Sequence, residues 1–343
     1  RPIGDGSYRL ISRDKGLSVF RARDSADSGS RPKIVRVLER AYASDAEALA
    51  ALARGDVALI DRVPLARVEE ARAIPGVRVG AYQRPVLHRI ALDGRNPALR
   101  LRTLRRGLSL AIARKALLEE IVLKGPSTAD SLVSDGPFPK GSYADAPDVK
   151  PLEDDPLLAR MLVSAARKEL GDQPIRLKFE YPRDAMVKEV VPRLIEAWTN
   201  AGVMIEGVEC SAGELEDELA SGRRFDLAYR ATSCDDPMFA AGPLICPGYD
   251  ASPAANPLGS IASPRILQLL LMLEAAADPP TANPLLLRID RESRDELPIL
   301  PLWQTRAYRA WRDHLTGPSE TARQLYERIT TWEIRPWLPP ETE

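Results

Sequence analysis

Histidine is almost absent from this chain. His88 and His314 are the only two in 343 residues, and no nucleophile motif surrounds either. A metal held by histidines needs at least a pair, and these two lie far apart in the sequence. Cysteine is nearly as scarce. Cys210, Cys234 and Cys246 make neither a zinc spacing nor a disulfide framework, and only Cys234 and Cys246 are candidates to pair. Charge of one sign is missing as well: the formal net charge is -1, which leaves no basic face for nucleic acid. Long apolar runs are lacking. The longest, Ile266 to Leu273, is broken by Gln268 and is far too short to span a bilayer. The G-x-S-x-G, H-E-x-x-H, P-loop and C-x-x-C patterns do not occur. Gly4-Asp5-Gly6 begins like a nucleotide loop but has neither the third glycine nor the helix that must follow. No catalytic residue, metal or cofactor is expected on these grounds.

The composition, 44% hydrophobic and 28% charged, is that of an ordinary globular protein, and the length allows two lobes with separate cores. Tyr8–Ile11, Leu17–Phe20 and Lys33–Leu38 read as short strands. Ser44 and Glu47 form a capping box before a helix that stops at Gly55. Strands follow at Asp56–Ile60, Val77–Tyr82 and Val86–Leu92, then a helical pattern over Leu99–Leu123. Residues 127–155 are rich in Pro, Gly, Ser and Asp and predict a long loop. The next stretch is the clearest. Asp155-Pro156 opens a helix, Ile175 to Tyr181 alternates with a period of two, and Asp184 opens a helix that ends near Gly202. Val203–Val208 and Phe225–Tyr229 are strands, with a second capping box at Ser211 and Glu214 between them. This β-α-β-α-β order predicts one α/β sheet over residues 175–229. Residues 235–264 predict a second loop. Helices at Ser263-Pro264 and Asn283-Pro284, a strand over Leu297–Trp303 and a final helix over Ala322–Trp332 complete the chain.

Five segments in order carry a family resemblance: Pro2 to Leu10 (PIGDGSYRL), Leu49 to Ile60 (LAALARGDVALI), Arg105 to Ile112 with Gly125, Asp155 to Leu162 (DPLLARML), and Leu297 to Gln304 (LPILPLWQ). Gly317 and the stretch from Leu325 to Trp332 also fit. The sequence resembles the bacterial extracellular solute-binding proteins of family 5, which serve ABC importers of peptides and nickel. The resemblance implies a two-lobed α/β periplasmic-binding-protein fold, type II and cluster C, with the first lobe incomplete. Residues 1–82 and 303–343 would belong to the first lobe and residues 83–302 would form the second. No signal peptide is visible, since the chain opens on Arg1-Pro2-Ile3-Gly4. The resemblance implies that this signal and part of the first lobe precede it. It further implies a periplasmic or extracellular receptor for peptides or other small solutes, partnered by permease subunits and reaching a membrane only through them or through a lipid anchor. The ligand-sensing domain of a transcriptional regulator is an alternative with the same fold.

The resemblance also locates a binding segment. Tyr229-Arg230-Ala231-Thr232-Ser233-Cys234-Asp235-Asp236-Pro237 matches the family's G-W-x-x-D-x-x-D-P step, whose first Asp pairs with a peptide ammonium. Here Ser233 stands in place of that Asp and Arg230 in place of the Trp, while Asp235 can substitute after a two-residue shift. Arg230 suggests an anionic ligand group, because a guanidinium pairs bidentately with carboxylate or phosphate. Asp93 and Ala113 are further departures, standing where the family usually has Asn and Asp. The ligand-binding set expected is Tyr229, Arg230, Ser233, Asp235, Asp236, His88 and Trp303. The Asp235-Asp236 pair also admits a turn or helix cap, given Pro237, or a hydrolytic role.

Overall fold

The computed structural model describes residues 6–23, 32–129, 131–211, 214, 225–246 and 261–335. Strands β1 (Tyr8–Asp14), β2 (Leu17–Ala22) and β3 (Arg36–Arg40) precede helix α1 (Asp45–Arg54), β4 (Leu59–Val63) and a short α2 (Val68–Arg72). The long strand β5 (Val77–Leu92) leads to α3 (Pro97–Arg100), α4 (Arg102–Leu110) and α5 (Arg114–Leu117). After a two-residue β6 (Leu132–Val133) come α6 (Pro156–Glu169), β7 (Arg176–Pro182), α7 (Ala185–Ala201), β8 (Met204–Cys210) and β9 (Leu227–Ser233). Helices α8 (Pro237–Ile245), α9 (Pro264–Glu274) and α10 (Pro279–Glu296) lead to β10 (Ile299–Arg312), followed by β11 (Leu315–Thr316), β12 (Thr321–Ala322) and β13 (Glu333–Ile334). The chain divides into two compact units, residues 1–84 with 306–343, and Pro85–Thr305.

In the first unit β1, β2 and β3 form an antiparallel sheet. Among its described strand residues only Ala22 is buried, most other apolar positions are half-buried, and Ile11 and Leu38 are exposed, Leu38 by 56%. Ser44 and Gly55 cap α1 as the sequence predicts, Gly55 with φ 84, and Leu49 and Leu52 pack with Val63, Val68 and Ala310. Strand β4 is antiparallel to β10, and β12 runs parallel to β5. Gly80 is required there, because a Cβ would stand 2.6 Å from the Glu320 carbonyl oxygen. The expected helix over 322–332 is absent. Tyr326 instead bonds Glu39, Trp332 packs on Tyr326, and Arg328 turns into the left-handed region (φ 57), so tertiary contacts override the helical spacing.

The second unit holds the sheet that the element order predicts. Strand β7 is parallel to β8 and to β9, with Phe179 opposite Leu227, and β9 is antiparallel to β5 from Val86–Ser233 to Leu92–Leu227. Trp198 of α7 meets Phe179 edge-on at 5.2 Å and donates its indole N–H to the Leu108 carbonyl at 3.0 Å, tying α7 to α4. A separate cluster packs Leu87 with Leu244, Ile266, Leu270 and Ile289 of α8, α9 and α10. Several boundaries differ from expectation. Val77–Tyr82 and Val86–Leu92 are one strand passing through Pro85, β10 runs on to Arg312, and α10 starts at an Asp278 cap rather than at Asn283. The helix expected over 99–123 breaks at Leu101 and Ala113, where the backbone leaves the helical region. Residues 237–245, read as loop, are α8, capped by Asp236. The helix expected after Ser211 falls mostly outside the described residues, but its capping box is present: the Ser211 N–H donates to Glu214 and the Glu214 N–H to Ser211 Oγ. Cys234 and Cys246 do not pair; all three cysteines are buried thiols.

A buried charge network fastens the loop over 127–155. Arg294 of α10 pairs with Asp135 at 2.8 Å, Asp145 at 2.5 Å and Asp290 at 2.8 Å. Asp290 has no exposed surface and also accepts from the Ala146 N–H. Burial raises its pKa to about 6, against the pull of Ala146 and Arg294. Between pH 4 and 6 the folded state therefore keeps a proton that the unfolded chain releases, so this group's contribution to stability is lost as pH rises through that window. Asp290→Asn should flatten the pH 4–6 part of the stability curve, by on the order of 2–3 kcal/mol. Urea titrations of parent and variant at pH 4 and 7 check this, and an unchanged difference between the two pH values would contradict it.

Candidate functional site at the carboxyl end of strand β9

Because β7, β8 and β9 are parallel, their carboxyl ends share one edge of the sheet. Each is followed by a capped helix start. Asp184 accepts from the Met186 and Val187 N–H groups, the Ser211–Glu214 box follows β8, and Asp236 accepts from the Met238 N–H at 2.9 Å. Strand ends with free backbone groups and helix N-termini make this edge the natural place for a ligand in an α/β sheet.

Burial falls toward the carboxyl end of β9 and sorts the expected residues. Tyr229 is fully buried, Arg230 is half-buried, and Ser233 and Asp235 are exposed. Arg230 stands directly opposite Arg89 in the β5–β9 ladder, which places two guanidinium groups on one sheet face. Asp236 is half-buried and serves as the α8 cap, and it also accepts from the Tyr143 hydroxyl. Burial and this bond push the Tyr143 phenol up to about 12. A carboxylate engaged in this way is poorly placed for acid/base work, and the capping reading of Asp236 is the one its hydrogen bonds match. Burial, with Asp236 and Asp235 beside it, pushes the Cys234 thiol up to about 12, which leaves it a core residue rather than a nucleophile.

His88, Tyr229 and Trp303 come together in the interior behind this end. His88 Nδ1 lies 2.9 Å from the Tyr229 hydroxyl and Nε2 lies 3.0 Å from Thr305 Oγ1. A neutral imidazole donates from one nitrogen and accepts at the other, and both hydroxyls can fill either role. The Trp303 ring sits 6.1 Å from the imidazole, and its own indole N–H has no hydrogen-bond partner among the described residues. Burial, reinforced by the Arg89 charge, lowers the His88 pKa to about 3, so the ring is neutral at any ordinary pH. The structure thus divides the expected set: Arg230, Ser233 and Asp235 reach the surface, Asp236 braces α8, and His88, Tyr229 and Trp303 form a packed base. Two members were missed. Thr305 is two residues beyond Trp303 on the same strand face, a spacing that points to it. Tyr143 lies in an aperiodic loop and leaves no such signal. Among the described residues no group of His, Cys, Asp and Glu is arranged to hold a metal.

This α/β architecture is that of the periplasmic binding proteins. A family model matches residues 1–243, and the chain belongs to the bacterial extracellular solute-binding proteins, family 5 (the model covers the family's middle region). A search of the curated protein sequences gives no match. Solved structures with the same fold include DppA from Helicobacter pylori in complex with the peptide STSA, at TM-score 0.81 and 16% identity, covering 98% of this chain and 64% of that one. The oligopeptide-binding protein AppA from Bacillus subtilis, with a nonapeptide, matches at TM-score 0.81 and 16% identity over 98% of this chain and 67% of its own. NikA from Staphylococcus aureus in complex with Ni(L-His)2 matches at TM-score 0.78 and 13% identity over 97% and 69%. The chain therefore spans roughly two thirds of the length of these structures. Among the described residues no helix is long and apolar enough to cross a membrane.

Proposed function

We propose that this chain captures a peptide-like or other small solute for an ABC permease, in the periplasm or outside the cell. The solute is contacted by Arg230, Ser233 and Asp235 at the carboxyl end of β9. The observation that carries this reading is the division of the strand itself. Its carboxyl end carries a half-buried cation at Arg230, an exposed hydroxyl at Ser233 and, two residues on, the exposed carboxylate of Asp235. His88, Tyr229 and Trp303 are packed together in the interior behind this end. A ligand site needs a few polar groups fixed in place by packed neighbours, and this strand end supplies both. Family membership supports a binding role over a catalytic one. The chain passes between its two units only within β5 and β10, near residues 84–85 and 305–306. Closure about these crossings is the capture step, with binding energy offsetting its cost.

The direct test is calorimetry of the intact protein against short peptides, histidine–nickel chelates and small carboxylic solutes. One saturable site per chain for any of these classes is expected. No binding across all three would contradict the proposal.

A further inference from the structure

A cavity of about 190 Å³ lies in the Pro85–Thr305 unit, and none of the residues at the end of β9 lines it. Five cations face it (Arg106, Arg114, Lys150, Arg291 and Arg294) against the carboxylates of Asp135 and Asp295. Both carboxylates are already engaged. Asp135 pairs with Arg294 at 2.8 Å and with Lys140 at 3.1 Å, and Asp295 pairs with Arg102. Arg291 is matched by Asp148 at 2.9 Å. That leaves three cations. Arg106 and Lys150 are exposed and make no ion pair among the described residues. Arg114 is only 5% exposed, and its bonds go to neutral acceptors: Nε to the Pro301 carbonyl at 2.7 Å, and the two terminal nitrogens to the carbonyl and hydroxyl of Ser109 at 2.9 and 2.6 Å.

A buried guanidinium without a carboxylate at contact distance is costly, and the cost falls when an anion reaches it. Burial lowers the Arg114 pKa to about 10, with Asp154 and Asp135 offsetting part of the effect from longer range. We propose that this cavity binds a small oxyanion, a phosphate or a carboxylate, held by Arg106, Arg114 and Lys150. The guanidinium fork matches two oxygens of such a group, while the lysine adds a point charge from the loop before α6. The site lies apart from the β9 end and does not depend on what binds there.

Thermal unfolding of the intact protein with inorganic phosphate or acetate, each against potassium chloride at equal ionic strength, tests the proposal. One oxyanion should raise the midpoint saturably beyond chloride. The double variant Arg106→Gln/Lys150→Gln changes only exposed side chains and should weaken the response at least tenfold, roughly the loss of one charge-assisted contact. Arg114→Lys keeps the buried charge but loses the fork, and should also weaken it. A larger effect of phosphate assigns the site to phosphate and a larger effect of acetate to carboxylate; either result upholds the site. A shift no greater than that of chloride would overturn it, as would an unchanged response in the double variant. Loss of the response in Arg230→Ala would do the same, by placing the anion at β9.

Discussion

Replacing Trp198 with alanine is expected to destabilise the second unit by about 4–6 kcal/mol. Trp198 has no exposed surface, and deleting a large buried ring costs about 3–5 kcal/mol through lost burial and the cavity left behind. Its indole also donates to the Leu108 carbonyl, and stranding that buried acceptor adds about 1–3 kcal/mol. The two losses overlap, since relaxation around the cavity lets other groups approach. Trp198→Phe keeps most of the packing on Phe179 and should cost only the hydrogen bond and a modest void, about 1–3 kcal/mol. Urea unfolding of the whole chain separates the variants. A loss under about 1 kcal/mol for Trp198→Ala would show that α7 is not anchored through this ring.

The second large effect is acid lability. The folded-state pKa of His88 lies near 3, well below the ordinary 6.5, because the ring is buried beside Arg89. An unfolded chain takes up a proton on His88 below pH 6.5, whereas the folded chain does not until about pH 3. Stability therefore falls as pH drops through this window, by roughly 4–5 kcal/mol at its lower end. Asp290 acts in the opposite direction between pH 4 and 6, so the His88 contribution is read as a difference between variants. His88→Gln can still bond both hydroxyls while carrying no titrating group. The gap between parent and variant should shrink as pH falls from 7 to 4. A gap that is constant over this range would mean that His88 titrates normally in the folded protein.

The second unit was legible in the sequence because local and tertiary signals agree there. Asp155, Asp184 and Gly202 cap helices whose apolar faces match a period of 3.6, and Ile175 to Tyr181 alternates with period two. Segments held by side chains distant in sequence were not legible. Tyr326 and Trp332 lie in a stretch with an amphipathic pattern but are held in turns by Glu39 and by each other. The helical pattern over 99–123 is interrupted at Ala113, beside Arg114, whose guanidinium donates to the Pro301 carbonyl. At the candidate site the polar identities could be read, but their depth could not. Alternation alone does not say that His88 and Trp303 face an interior closed by Tyr229 and Thr305, since that closure comes from strand pairing.

The measurement that bears most directly on solute capture at the β9 end compares Arg230→Ala and Asp235→Asn with the parent, by calorimetry on one ligand that the parent binds. For a ligand that presents an anionic group, Arg230→Ala should weaken binding by about 1.5–3 kcal/mol, the range of a charge-assisted hydrogen bond, and Asp235→Asn should change it little. For a ligand bound through an ammonium group, the loss should fall on Asp235→Asn instead. Wild-type affinity in both variants, with folding intact, would show that the solute does not bind at this end of the strand.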